Sequence, residues 1–247
     1  MSMLANLTTD DTIATEKDSV GGGGSFILDS GIYNATVSMA YLTKSKGGAL
    51  GLVLNLKTPE GKELRQTLWM TSGTEKGCKN YYEKDGEKHY LPGFNHANSL
   101  ALLTTGKEIS ALDTETKVVS VYSPEAKAEV PTKVEVPMDL LNKEIVAGVI
   151  KQTVDKTKKN EATGAYEPTG ETRDENEIDK LFRARDRMTT AEIRAQAEEA
   201  SFVNTWEAKW SGKTRDKTKG ASGGVAGVPR AAAAATAAKK PTTSLFA

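Results

Sequence analysis

Apolar and polar residues alternate with a period of two between residues 31 and 70, which predicts three consecutive β-strands joined by tight turns. Tyr33, Ala35, Val37, Met39 and Tyr41 fall on one side of the first strand, with Asn34, Thr36 and Ser38 on the other. Leu50, Leu52, Leu54 and Leu56 repeat the period, and Leu64, Leu68 and Met70 continue it beyond Thr58-Pro59-Glu60-Gly61. That tetrapeptide is a turn with a mechanism, since proline pre-sets φ and glycine accepts φ > 0. Asn55, Lys57, Arg65, Thr67 and Trp69 face away from the leucines. Such a face is either a surface on which bases stack and phosphates pair, or a solvated face whose Trp a later segment covers.

Further along, the pattern breaks for about twenty residues. Lys76, Lys79, Tyr81, Tyr82, Lys84, Lys88, His89 and Tyr90 interleave bases with aromatics there, among Glu75, Glu83, Asp85 and Glu87. Aromatic–basic interleaving suits sequence-tolerant binding of single strands, and it equally suits a hydrated loop whose tyrosines pack on the sheet. Between the first two strands, Lys44-Ser45-Lys46-Gly47-Gly48 is a plain hairpin turn or a phosphate-contacting tip.

After Leu91-Pro92-Gly93, residues 95–104 predict a short helix closing one end of the sheet, with Leu100, Leu102 and Leu103 as its apolar positions. Residues 118–122 predict a fourth strand, and Pro124, Pro131 and Pro137 flank a Val-rich connector fit for an edge. The β-branched run at 145–154 predicts a fifth strand, with Lys156, Lys158 and Lys159 leading into a loop through Gly164 and Gly170. From Asp174 the period reads as helical, with Asp174 and Glu175 in an acidic first turn and Lys180, Arg183, Arg185 and Arg187 toward the end. Thr190 is placed to cap a second helix through Trp210, with Ile193, Ala197, Ala200, Val203, Trp206 and Trp210 as a core-facing stripe.

Five strands with early hairpins, a mid-chain helix and a loop-rich face fit a mainly β chain with some α, namely a five-stranded OB-fold barrel with C-terminal helices and disordered tails. The expected organisation is a flexible leader over residues 1–24, a core over 25–172, a helical extension over 173–211 and a basic tail over 212–247.

Composition changes this picture little, but charge localises it. The 247 residues carry equal numbers of Lys+Arg and Asp+Glu, 33 of each, while residues 212–247 hold seven Lys/Arg against Asp216. A neutral total leaves room for a polyanion partner, provided that the basic surface is local. No apolar run approaches the roughly 18 residues needed to span a membrane. The first residues lack a basic n-region and an apolar h-region, so no secretory signal is expected. The one cysteine, Cys78, fits a reducing, cytoplasmic compartment.

An enzyme is not expected. Cys78, His89 and His96 have a Cys-x10-His-x6-His spacing with no plain fourth zinc ligand and no oxyanion loop, so neither cofactor nor metal is anticipated. At the far end, Lys239, Lys240, Leu245 and Phe246 form a docking peptide for another protein, or an end folded back on the core.

Gly31-Ile32-Tyr33-Asn34-Ala35, Leu91-Pro92-Gly93, Lys151-Gln152-Thr153-Val154-Asp155-Lys156 and Gly170-Glu171-Thr172-Arg173-Asp174-Glu175-Asn176-Glu177 together resemble phage single-stranded DNA-binding proteins, in the group of lytic podoviruses that carry a virion RNA polymerase. The resemblance spans roughly residues 20–215. It implies an OB-fold protein that coats exposed DNA in replication and recombination in the cytoplasm of an infected bacterium. It also implies a C-terminal tail that contacts host RNA polymerase in late transcription. The tail departs from the acidic, aromatic-ended tails of bacterial homologues. On this reading Trp69, Tyr81, Tyr82 and Tyr90 stack on bases, and Lys44, Lys46, Lys57, Arg65, Lys79, Lys88 and Lys151 meet phosphates. The competing class is a non-catalytic phage adaptor or structural protein that does not bind nucleic acid.

Overall fold

The computed structural model describes residues 27–123, 126–160 and 166–218. The chain is mainly β with few helices. The leader over 1–24 and the tail positions Lys239, Lys240, Leu245 and Phe246 lie outside the described residues.

The predicted meander forms as β1 (Gly31–Lys44), β2 (Leu50–Lys57) and β3 (Glu63–Trp69). The small strands β4 (Tyr81–Lys84) and β5 (Glu87–Tyr90) follow, then α1 (Pro92–Thr105). Next come β6 (Glu115–Ser123), β7 (Ala128–Val136), β8 (Glu144–Lys159) and β9 (Tyr166–Arg183). The chain continues through α2 (Thr190–Arg194), α3 (Phe202–Trp210) and β10 (Thr214–Asp216).

Leucines at alternate positions of β2 and β3 turn inward against Ala35, Val37, Ile145 and Ala147, and α1 closes this core with Ala97, Leu100, Ala101 and Leu103. The first half of β1 pairs with β8 and the second half with β2, so β1 joins the two parts of one six-stranded sheet. β9 lines the other side of β8. β3 and β9 share no ladder, and the sheet is not a closed barrel. Across this seam the Ile178 N–H donates to the Gln66 side-chain oxygen at 2.7 Å.

Several expectations change. Met39 and Tyr41 leave the face of Ala35 and Val37, because a bulge between Val37 and Met39 adds one residue and inverts the facing of the rest of the strand. They join Val53 and Val136 in a second small core under the hairpin β6–β7, so much of the outward face of β1 and β2 is covered. The expected fourth strand is one arm of that hairpin, in a separate two-stranded sheet. Its partner β7 carries Pro131, which has no N–H to donate and suits an edge.

The helix expected from Asp174 is strand β9, which already includes Gly170. A bulge at Asp179 pairs Gly148 with Lys180 but Val149 with Ile178, so Ile178 and Leu181 reach the same core three residues apart. That spacing imitates a helix.

The single helix expected from Thr190 to Trp210 is broken into α2 and α3, and its cap is Thr189. One carboxylate explains the break. Glu192 closes a capping box with Thr189 and also accepts the Ser201 and Phe202 N–H groups at 2.8 Å, so it serves the starts of both helices. Finally, Thr214–Asp216, expected in the disordered tail, form β10, which runs parallel to β8.

The α2–α3 segment should be acid-sensitive. The Arg183 hydrogen bond holds the Asp186 carboxyl down at about 2. Burial pushes Glu192 up, but the N–H groups of Thr189, Phe202 and Ser201 outweigh it and bring it to about 2. Both folded values lie below the ordinary 3.8 and 4.5, so their stabilisation is complete above those values and drains away as pH falls toward about 2. Tryptophan emission recorded from pH 6 downward should show the loss in that window; a transition completed above pH 5 would contradict it.

Candidate nucleic-acid interface

Trp69 ends β3 on the outward side and pairs with Gly51 of β2. A Cβ built on Gly51 would lie 2.8 Å from Cε3 of the indole and 3.0 Å from Cζ3. The ring therefore rests on bare backbone, a shelf that only glycine leaves open, and Trp69 remains 43% exposed.

The chain leaves this point into the basic–aromatic excursion and comes back to it. Met70 and Thr71 N–H both donate to the Leu50 carbonyl. At the return, a Cβ on Gly93 would lie 2.1 Å from the Trp69 carbonyl oxygen, so the start of α1 is pressed on the backbone of Trp69. Between these roots the excursion is not the expected irregular stretch. A turn at Thr74–Lys76 leads into the hairpin β4–β5, closed by Asp85 and Gly86, both at positive φ. Thr74 N–H donates to the Gly47 carbonyl at 2.8 Å, tying the Lys44–Lys46 turn to the excursion.

The hairpin shows its rings. Tyr81 lies between Lys79 and Lys88, whose ammonium nitrogens are 5.6 and 5.0 Å from the ring centre. Tyr82 sits 5.5 Å from His89, and Tyr90 sits 4.9 Å from Phe94. Tyr82 and Tyr90 are 44% and 56% exposed.

A cleft of about 680 Å³ opens at the seam of the sheet, lined among others by Gln66, Trp69, Thr71, Lys76, His96 and Glu177. The Glu177 carboxylate accepts from both Arg215 and Lys217. Burial pushes its carboxyl up, but the Lys217 hydrogen bond and the two cationic charges outweigh it and hold the group below the usual carboxylate range. His96 Nε2 is 2.7 Å from the Asp179 carbonyl oxygen.

The structure brings together part of the expected set. Trp69, the turn bearing Lys44 and Lys46, and the hairpin with Lys79, Tyr81, Tyr82, Lys88 and Tyr90 share one end of the sheet. Lys57 stands at the other end of β2, six residues from Gly51 and so about 20 Å away. Arg65 donates to the Tyr41 hydroxyl at 2.8 Å and lines a small cavity with Val119 and Glu129 of the β6–β7 hairpin. Lys151, on β8, is engaged by Asp174 at 3.4 Å and Asp29 at 3.9 Å.

Glu177, Arg215 and Lys217 escape a reading of the sequence alone. Lys213-x-Arg215-x-Lys217 carries the period of two that signals a strand, but three residues are too short to stand out from a basic tail. Cys78, His89 and His96 do not converge, and no group of three metal-ligating side chains occurs among the described residues. Among those residues no helix is long and apolar enough to cross a membrane.

No protein-family model matches the chain, and no curated protein matches it.

Proposed function

We propose that this chain is a sequence-tolerant single-stranded DNA-binding protein, not an enzyme, which coats exposed DNA during phage replication and recombination. The observation that carries the reading is the Trp69 indole lying on the Gly51 backbone and still substantially exposed, next to a lysine turn and a hairpin of exposed tyrosines. Single strands bind to such sites through base–aromatic stacking and phosphate–cation pairs, neither of which needs a particular base.

The strand order supports an OB-type sheet. A three-strand meander, a helix, and a hairpin whose first strand lies beside β1 match the OB-fold sequence of elements, here opened at the β3–β9 seam. Lys239, Lys240, Leu245 and Phe246 are proposed to contact a protein partner such as host RNA polymerase, since a basic stretch ending in an apolar pair suits protein docking.

Titration with oligo(dT) tests the reading. Tryptophan emission should be quenched, duplex of equal length should bind more weakly, and log affinity should fall with log salt at about −0.7 per neutralised phosphate. Absence of quenching and of any salt-dependent binding would leave the adaptor class in its place.

A further inference from the structure

We propose that Lys217, which adjoins the cleft through its ion pair with Glu177, is a phosphate-binding residue held on that carboxylate until nucleic acid arrives. This rests on the single-stranded DNA reading above.

Lys217 comes directly after β10, and its N–H donates to the Thr153 carbonyl at 2.9 Å, so its backbone is fixed to the sheet. Its ammonium lies 2.6 Å from Glu177 Oε2, and Glu177 lines the cleft alongside Trp69. A carboxylate is the wrong charge for the wall of a polyanion site, so the groups that neutralise it matter.

Oε2 of Glu177 accepts from two cations, and the two are held differently. The Arg215 side chain is 21% exposed, also donates to Gln152 at 2.9 Å, pairs with Asp179 at 3.6 Å, and sits 5.5 Å from the Trp210 ring. The Lys217 side chain is 44% exposed on a flexible four-carbon stem. Lys217 can therefore exchange its carboxylate for a phosphate while Arg215 keeps Glu177 paired. Glu177 would then not face the DNA bare; the other carboxylate of the cleft wall, exposed Glu75, stands next to Lys76 on the opposite segment. Lys76 lines the same cleft from the other segment, so the backbone of a bound strand would meet cations from two elements.

The test uses the full chain and oligo(dT), read by tryptophan quenching over a range of salt. Lys217→Ala should bind several-fold more weakly at low salt, with a slope shallower by about 0.7. Its urea midpoint should stay near that of the parent, because an exposed ion pair contributes little to stability. Lys133→Ala removes the same charge from an exposed position on β7 and should leave the slope unchanged. Glu177→Gln, which keeps a hydrogen-bond acceptor for Arg215, should bind more tightly. An unchanged slope in Lys217→Ala, or an equal change in Lys133→Ala, would overturn the assignment while leaving the DNA-binding reading intact. Failure of the parent chain to bind oligo(dT) would remove both.

Discussion

Trp69→Ala is expected to weaken single-stranded DNA binding by about 1–3 kcal/mol, roughly 5- to 150-fold, at every base composition. The indole lies over Gly51, where it contributes an exposed flat surface more than it contributes to a core. Folding stability should therefore change little, and oligonucleotide quenching should fall, since of the other two tryptophans Trp206 is buried and Trp210 is half-buried under Arg215. Trp69→Phe should recover part of the affinity, because a smaller ring still stacks. Gly51→Ala separates shelf from ring: the new Cβ displaces the indole without removing it, so affinity should fall with the tryptophan still present. Unchanged affinity in Trp69→Ala, measured by anisotropy of a labelled oligonucleotide, would take the residue off the binding surface.

The second large effect concerns folding. Trp206→Ala should destabilise the protein by about 3–5 kcal/mol, the usual range for losing a large buried aromatic. Trp206 is 3% exposed against Val146, Ile150 and Phe182, and its Nε1 donates to Asp179 at 2.7 Å. Its ring reaches the sheet over Gly148, where a Cβ would lie 3.0 Å away. Deleting it leaves a cavity between α3 and the sheet and removes a partner from Asp179, which also pairs with Arg215 of β10. Arg215, which holds the cleft-lining Glu177, should therefore be loosened together with the loss of stability. Urea denaturation measures the change, and a loss below about 1 kcal/mol would show that α3 is only loosely docked.

Trp69 and Trp206 differ in burial; local periodicity places each on its face, but leaves open whether a later segment covers Trp69, which the structure leaves exposed. Trp206 lies on a helical apolar stripe and is buried, whereas Trp69 lies on the polar side of an alternating strand and is exposed. The alternation of β2 and β3 needs nothing beyond local periodicity, because their ladder runs without a bulge and the leucine face of each is buried. The excursion after Met70 is legible in type, aromatic and basic, but less so in form. Asp85-Gly86 is a strong turn signal, yet the mixed charges on either side of it hide two four-residue strands that bury almost nothing.

The chain by itself determined the strands with unbroken alternation, the mid-chain helix introduced by Pro92, and the chemistry of the exposed end of the sheet. Tertiary structure alone decided where Met39, Tyr41, Ile178 and Leu181 point, since one inserted residue at each bulge reverses every position after it and leaves no mark in composition. It alone decided that Arg215 and Lys217 belong to the folded body, because a three-residue strand is stable only when a long neighbour such as β8 supplies its hydrogen bonds.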